Sequence, residues 1–205
     1  LLRQEKIGEQ AVVLKGFAIS HVQQVLALIT DIEKQSPFRH MMTTRGFIMS
    51  VGLTNCGKLG WVSDRKGYRY TQIDPLTNQP WPKMPEVFLS LAKSAAFEAG
   101  FVDFIPDACL INRYAPGTKL SLHQDKDEPD LDAPIVSVSL GIPAIFQFGG
   151  FERTDKKIKV LLSHGDVVVW GGIDRLRFHG VSQIKAATHS ILGEQRINLT
   201  FRKAS

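Results

Sequence analysis

The sequence predicts a mainly β protein with flanking helices: a closed antiparallel sandwich or jelly roll behind an N-terminal layer of helix and hairpins. Three observations predict it. About eight short β-branched or aromatic segments follow one another after Gly100, separated by Gly, Pro or Asp turns. The gaps between them leave no room for the crossover helices that parallel strands need. A 205-residue chain with 43% hydrophobic and 22% charged residues has enough apolar surface for one buried core.

Taken in order, Ser20 reads as the N-cap of a helix running to about Gln35. Val22, Val25, Leu26, Ile29 and Ile32 share one face of it, and Ser36-Pro37 ends it. From Phe38 to Met84, Gly and Pro punctuate short aromatic segments, the pattern of hairpins and loops with a partly exposed surface. Pro85 suits the first turn of a second helix with the stripe Val87, Phe88, Leu91, Ala92 and Ala95, and Gly100 suits its stop. The expected strands are Cys109–Tyr114, Lys119–Asp125, Ile135–Leu140, Ala144–Phe148, Ile158–Leu162, Val167–Trp170, Arg175–His179 and Arg196–Arg202. Residues 1–205 thus form a single domain, with helices and hairpins in 1–100 and the β core in 101–205.

The net charge of +5 suits a polyanionic partner without requiring one. Two distant cysteines, Cys56 and Cys109, exclude a disulfide framework and a thiolate zinc site. They point to a reducing, cytoplasmic compartment. No apolar run reaches the length of a membrane span, and the start Leu1-Leu2-Arg3-Gln4-Glu5-Lys6 does not read as a secretory leader. The chain begins without an initiator Met, and the sequence leaves open whether a short N-terminal piece is missing.

The sharpest local feature is Ser121-Leu122-His123-Gln124-Asp125. In a strand, residues two apart share a face, so His123 and Asp125 can approach one ion together. An imidazole and a carboxylate are two-thirds of a facial triad that leaves positions open on Fe(II). Spacing alone does not decide, because His164-Gly165-Asp166 repeats it. There the central glycine just before an apolar strand reads as a turn, with local hydrogen bonds to backbone. Among His21, His40, His164, His179 and His189, only His179 ends a late β segment able to return beside the first pair. It is the expected third ligand.

A dicarboxylate cosubstrate at such a centre needs cations. In Arg196-Ile197-Asn198-Leu199-Thr200-Phe201-Arg202, polar and apolar residues alternate, so Arg196, Asn198, Thr200 and Arg202 line one face. Arginine grips a carboxylate with two parallel hydrogen bonds. The competing reading is an amphipathic edge strand with solvated arginines. Asn112 and Tyr114, also two apart, can add neutral hydrogen bonds, unless Tyr114 is simply a core residue.

Three segments together resemble the AlkB family of Fe(II)/2-oxoglutarate dioxygenases: Leu110–Gly117 running into Leu120–Glu128, Asp166–Gly172 through Phe178-His179-Gly180, and Arg196–Arg202. The likeness extends over nearly the whole chain, including Ser36-Pro37-Phe38 and Gly60-Trp61. It weakens over the first 30 residues and around Lys185–Gly193. The resemblance implies His123, Asp125 and His179 as iron ligands, and Asn112, Tyr114, Arg196, Asn198 and Arg202 around 2-oxoglutarate, with Arg196 on the distal carboxylate. It implies a double-stranded β-helix capped by an N-terminal nucleotide-recognition lid. It also implies oxidative demethylation of bases such as 1-methyladenine and 3-methylcytosine. These lie mainly in single-stranded DNA, with double-stranded DNA and RNA as further forms, and O2 is the oxidant and formaldehyde a product.

Such lesions carry positive charge, so their pocket needs flat apolar walls and a carboxylate. Trp61 and His123 can sandwich a flipped base, a stacking worth roughly 1–3 kcal/mol. Asp127 can face the same cavity and favour the cationic base. Tyr68 and Tyr70 can hold the adjoining phosphate or stack, and Arg153 can hydrogen-bond near the base. The plainer alternatives are a lid-interface aromatic for Trp61, a turn cap for Asp127 and a solvated charge for Arg153. Phe47 and Leu53 stand where some family members carry more polar or longer side chains, which leaves the lid's grip open.

Two other function classes compete. A metal jelly roll of non-oxidative chemistry has no use for the paired arginines, and a non-catalytic nucleic-acid-binding module has no use for the metal ligands. The dioxygenase reading expects Asp125→Ala to abolish turnover with the fold intact. A monomer is the expected state.

Overall fold

The computed structural model describes residues 3–205, so the first two residues of the start read above for a leader lie outside the described residues. In chain order the elements are β1 (Arg3–Lys6), β2 (Ala11–Lys15), α1 (Val22–Gln35), β3 (Gly52–Gly57), β4 (Gly60–Asp64), β5 (Gly67–Thr71), β6 (Ile73–Asp74), β7 (Gln79–Pro80) and α2 (Glu86–Glu98). Then follow β8 (Ala108–Tyr114), β9 (Leu120–His123), β10 (Ile135–Gly141), β11 (Ala144–Phe148), β12 (Ile158–Leu162), β13 (Val167–Trp170), β14 (His179–Val181) and β15 (Arg196–Arg202).

The strands form a seven-stranded sheet, β1-β2-β13-β10-β15-β8-β3, and a four-stranded sheet, β12-β11-β14-β9. This is the two-sheet jelly roll that the strand spacing predicts. The large sheet takes strands from both sides of residue 100, because β2 pairs with β13 and β3 with β8. Ala11–Lys15 and Gly52–Gly57 were not read as strands from the sequence. The first is short and the second carries polar Thr54 and Asn55, both fully buried.

Alternation along the strands sorts residues to two faces. Val136, Val138, Ile197, Leu199 and Phe201 join the helix side, where Val22, Val25, Ile29 and Ile32 of α1 and Phe88, Leu91, Ala92 and Ala95 of α2 cover them. Trp170, Ile135, Phe146, Phe148 and Val160 fill one end of the space between the sheets. Toward the other end Leu53, Leu110, Ala144 and Val181 form a second buried cluster, and between the two clusters a cavity carries the polar side chains of the site.

Four local readings are corrected. Ser20 does not cap α1: a 3-10 turn over Ile19–His21 precedes the helix, His21 is its N-cap, and the Ser20 hydroxyl bonds the His21 ring instead. Pro85 stands one residue ahead of α2 with extended backbone. β9 stops at His123, so Asp125 lies beyond the strand. Arg175–Phe178 is not strand, and His179 begins β14 rather than ending one. Gly100 does stop α2: its φ is +93°, and Phe101 N–H to Ala96 O with Gly100 N–H to Phe97 O closes a Schellman turn.

β4 and β5 form a hairpin, with β6 and β7 beside it, over the open end of the sandwich. Cys56 and Cys109 are free, buried register partners across β3 and β8. Among the described residues no helix is long and apolar enough to cross a membrane.

Candidate metal and cosubstrate site

His123 and His179 meet as direct cross-strand partners of β9 and β14. Gly180 permits this: a Cβ there would sit 2.6 Å from the Leu120 carbonyl oxygen, too close for any other residue. Asp125 follows two residues past His123, and one donor atom from each of the three side chains lies within 4.8 Å of the others. The Nε2 atoms of His123 and His179 stand 3.4 and 3.7 Å from the same oxygen, Asp125 Oδ1.

The ring orientations are set from behind. His123 Nδ1 donates to Ser121 O at 2.8 Å, and His179 Nδ1 donates to Arg177 O at 3.1 Å. A carbonyl can only accept, so Nδ1 carries a proton in both rings and each Nε2 points inward, toward Asp125. Burial, then the neighbouring His123, pushes the His179 pKa down to about 3, which keeps that ring neutral. Burial would raise the Asp125 pKa, but the Arg202 charge and the two imidazoles outweigh it and hold the carboxyl well below the usual range. Burial would lower the His123 pKa, but the Asp125 carboxylate outweighs it and raises it, so that ring gives up its Nε2 proton when a metal binds. Two imidazole nitrogens and one carboxylate oxygen converge, and the donor set fits a divalent transition metal.

Beside this cluster, β15 lies between β10 and β8, so the edge-strand reading fails: both arginines are buried. Arg196 is 2% exposed, lies over the Tyr114 ring at 4.9 Å, and donates through Nη2 to Ser139 Oγ at 3.0 Å. Its Nε and Nη1 are buried with no hydrogen-bond partner. A buried guanidinium with two free donors, lining the cavity beside the metal cluster, fits a carboxylate. Arg202 is differently placed: its Nη2 and Nε donate to Asp125 Oδ2 at 2.7 and 2.9 Å. Asn198 donates to Ser137 Oγ and Val138 O and accepts from Thr200, while Asn112 reaches Asn198 Oδ1 at 3.5 Å.

The hairpin supplies the outer wall. Trp61 stacks on Tyr68 with centroids 5.6 Å apart and planes at 14°, and its Nε1 donates to Asp127 Oδ2 at 3.2 Å. Tyr70 donates its hydroxyl to Glu128 Oε2 at 3.1 Å, and burial holds that phenol protonated. Arg153 is exposed, stacks on Phe178 at 5.1 Å and donates to Leu122 O at 2.5 Å. The residues expected to hold iron, 2-oxoglutarate and the base all line one cavity of about 660 Å³. His164 and Asp166 stay outside it: His164 accepts from Gly141 N–H, and Asp166 accepts from Gly16 and Ser163 N–H.

The sequence reading assigned no role to Glu128, Arg175, Ser137, Ser139 or Trp170. Ser137 and Ser139 alternate on β10 opposite β15 and were legible by the same period-2 argument. Arg175 carried no local signal, because all its side-chain partners lie more than 40 residues away.

The model of the 2OG-Fe(II) oxygenase superfamily matches residues 10–202. The chain belongs to that superfamily. Fe(II) and 2-oxoglutarate are accordingly its cofactor and cosubstrate, and the His123–Asp125–His179 donor set fits the metal. Among curated proteins, this oxygenase is 59% identical over 201 residues to "Alpha-ketoglutarate-dependent dioxygenase AlkB" of Escherichia coli (strain K12), covering 98% of this chain and 93% of that one. It is 32% identical over 171 residues to "DNA N(6)-methyladenine demethylase ALKBH1C" of Arabidopsis thaliana, covering 71% of this chain and 38% of that one. Among solved structures it superposes on OsALKBH1 with a TM-score of 0.83 at 31% identity, covering 97% of this chain and all of the other.

Proposed function

We propose that this oxygenase removes alkyl groups oxidatively from nucleic-acid bases of the 1-methyladenine and 3-methylcytosine kind. Single-stranded DNA is the main substrate form, with double-stranded DNA and RNA also accepted. The observation that carries the reading is the pairing of Trp61 with Asp127 at the mouth of the cavity that contains the His123–Asp125–His179 cluster. A flat π-surface beside an exposed carboxylate suits a flat cation, which is what alkylation at a ring nitrogen makes of a base.

His123, Asp125 and His179 hold the iron, which when bound activates O2 toward an otherwise inert C–H bond. Arg196 takes the distal carboxylate of 2-oxoglutarate with its two unpaired donors. Asn112, Tyr114 and Asn198 line the same pocket, and Arg202 fixes Asp125 while its positive charge faces the cosubstrate. Trp61 and His123 stack on the flipped base, Asp127 receives its exocyclic amino group, Tyr68 and Tyr70 contact the adjoining backbone, and Arg153 bonds near the base. The hydroxylated alkyl group leaves as formaldehyde, while 2-oxoglutarate becomes succinate and CO2. The enzyme acts as a monomer in the cytoplasm.

The test is product stoichiometry with oligonucleotides carrying 1-methyladenine or 3-methylcytosine. One formaldehyde per succinate supports the reading. Succinate formed without formaldehyde at saturating oligonucleotide, or no turnover of any alkylated base, overturns it.

A further inference from the structure

Asp125 poses a structural problem. β9 ends at His123, so no ladder hydrogen bond of the four-stranded sheet sets the backbone at 125, and the segment from Gln124 to Pro134 has no strand or helix. Yet this carboxylate must be held to fractions of an ångström if it is to share an ion with two imidazoles.

Arg202 binds the carboxylate itself, through Oδ2, and a second arginine holds the backbone that carries it. Arg175 is buried, with 3% of its side chain exposed, and all three sides of its guanidinium bind the segment. Nη1 donates to the backbone oxygen of Asp125 itself at 2.5 Å, Nη2 to Glu128 Oε1 at 2.6 Å, and Nε to Ala133 O at 2.9 Å. Arg175 is held in turn. It closes the turn after Gly172, where the buried Asp174 carboxylate accepts from Gln10 N–H and from Arg177 Nε. Gln124 Nε2 adds a parallel tie to Leu176 O at 2.8 Å.

We infer that Arg175 is a positioning residue of the metal centre, orienting Asp125 through its backbone carbonyl and setting the acidic segment that also carries Asp127 and Glu128. This rests on the proposed iron ligands. Glu128 extends the device to the hairpin, since its other oxygen accepts the Tyr70 hydroxyl. Lysine has no planar three-sided donor array, so it reproduces the charge but not the geometry.

The test uses cobalt(II) in the absence of oxygen as the metal probe, read by its visible absorption. Arg175→Met/Glu128→Gln is compared with Glu128→Gln, so that neither protein buries an unpaired carboxylate at 128. Arg175→Lys is compared with the unaltered protein. Loss of a residue that orients a ligand lowers metal affinity by about 10–100-fold. The double variant should lose that much relative to Glu128→Gln, and Arg175→Lys should fall between. In the metal-free proteins, hydrogen exchange should quicken at residues 125–133 while β10 and β15 stay protected, which reports the fold independently of activity. Equal cobalt affinity with and without Arg175 overturns this inference alone. Failure of the unaltered protein to bind cobalt overturns the proposed ligands with it.

Discussion

Replacing Arg196 by methionine should raise the stability of the ligand-free protein while removing its response to 2-oxoglutarate. The side chain is buried with Nε and Nη1 unpartnered. Each buried donor without a partner costs on the order of 1–3 kcal/mol, so the two cost about 2–6. Against this stand one hydrogen bond to Ser139, worth about 1 kcal/mol, and the Tyr114 ring face, worth about 1–2. The difference spans about −1 to +4 kcal/mol and centres on a net strain of about 1–2, and methionine fills a similar length without polar atoms. For a chain of this size that is a melting temperature higher by about 2–8 °C. At a hundred times its dissociation constant a ligand stabilises by about 2.7 kcal/mol, so 2-oxoglutarate should raise the melting point of the unaltered protein by about 5–10 °C. The measurement is thermal melting under nitrogen with cobalt(II), with and without 2-oxoglutarate. A variant that keeps the full 2-oxoglutarate increment refutes the assignment of this guanidinium as a carboxylate site held in waiting.

Other substitutions test other parts of the site. Asp125→Ala should abolish turnover but not leave stability untouched as the sequence alone suggested. It strips buried Arg202 of its partner, a loss of roughly 3–5 kcal/mol that circular-dichroism melting will show as a clear drop. Trp61→Ala removes a stacking surface worth roughly 1–3 kcal/mol, so KM for an alkylated oligonucleotide should rise by about 5- to 150-fold. The 2-oxoglutarate charge-transfer band of the iron complex should be unchanged, and a lost band would place Trp61 in the cosubstrate pocket instead. His164 accepts a backbone N–H through Nδ1, and burial, then His189, lowers its pKa from the usual 6.5. The unfolded chain takes up a proton that the folded one resists, so this contribution is full above about pH 6.5 and is lost as pH falls through the lower folded value. His164→Asn should therefore flatten melting temperature against pH between about 7 and 5. An unchanged slope assigns the acid sensitivity elsewhere.

How much of this was legible in the sequence follows from the range of each interaction. Alternation over Arg196–Arg202 and over Asn112–Tyr114 marked the polar face because period 2 is a property of a single strand. The same rule misread the surroundings: β15 looks like an amphipathic edge strand until β10 and β8 flank it. The choice of His179 over four other histidines came out in the cavity, although the argued strand, Arg175–His179, does not exist. A turn brings the ring round, and Gly180 lets β14 close on β9.

Strand periodicity, turn residues and the spacing of His123 and Asp125 are local, and the chain alone determined the β-rich class, the polar strand faces and the candidate donors. Where those donors point was decided by partners distant in sequence. Arg175 reaches Asp125 and Glu128 across 50 and 47 residues, and Arg202 reaches Asp125 across 77. A buried charge is stable only beside its counter-charge, and no pattern along one strand can announce a neighbour that the fold supplies.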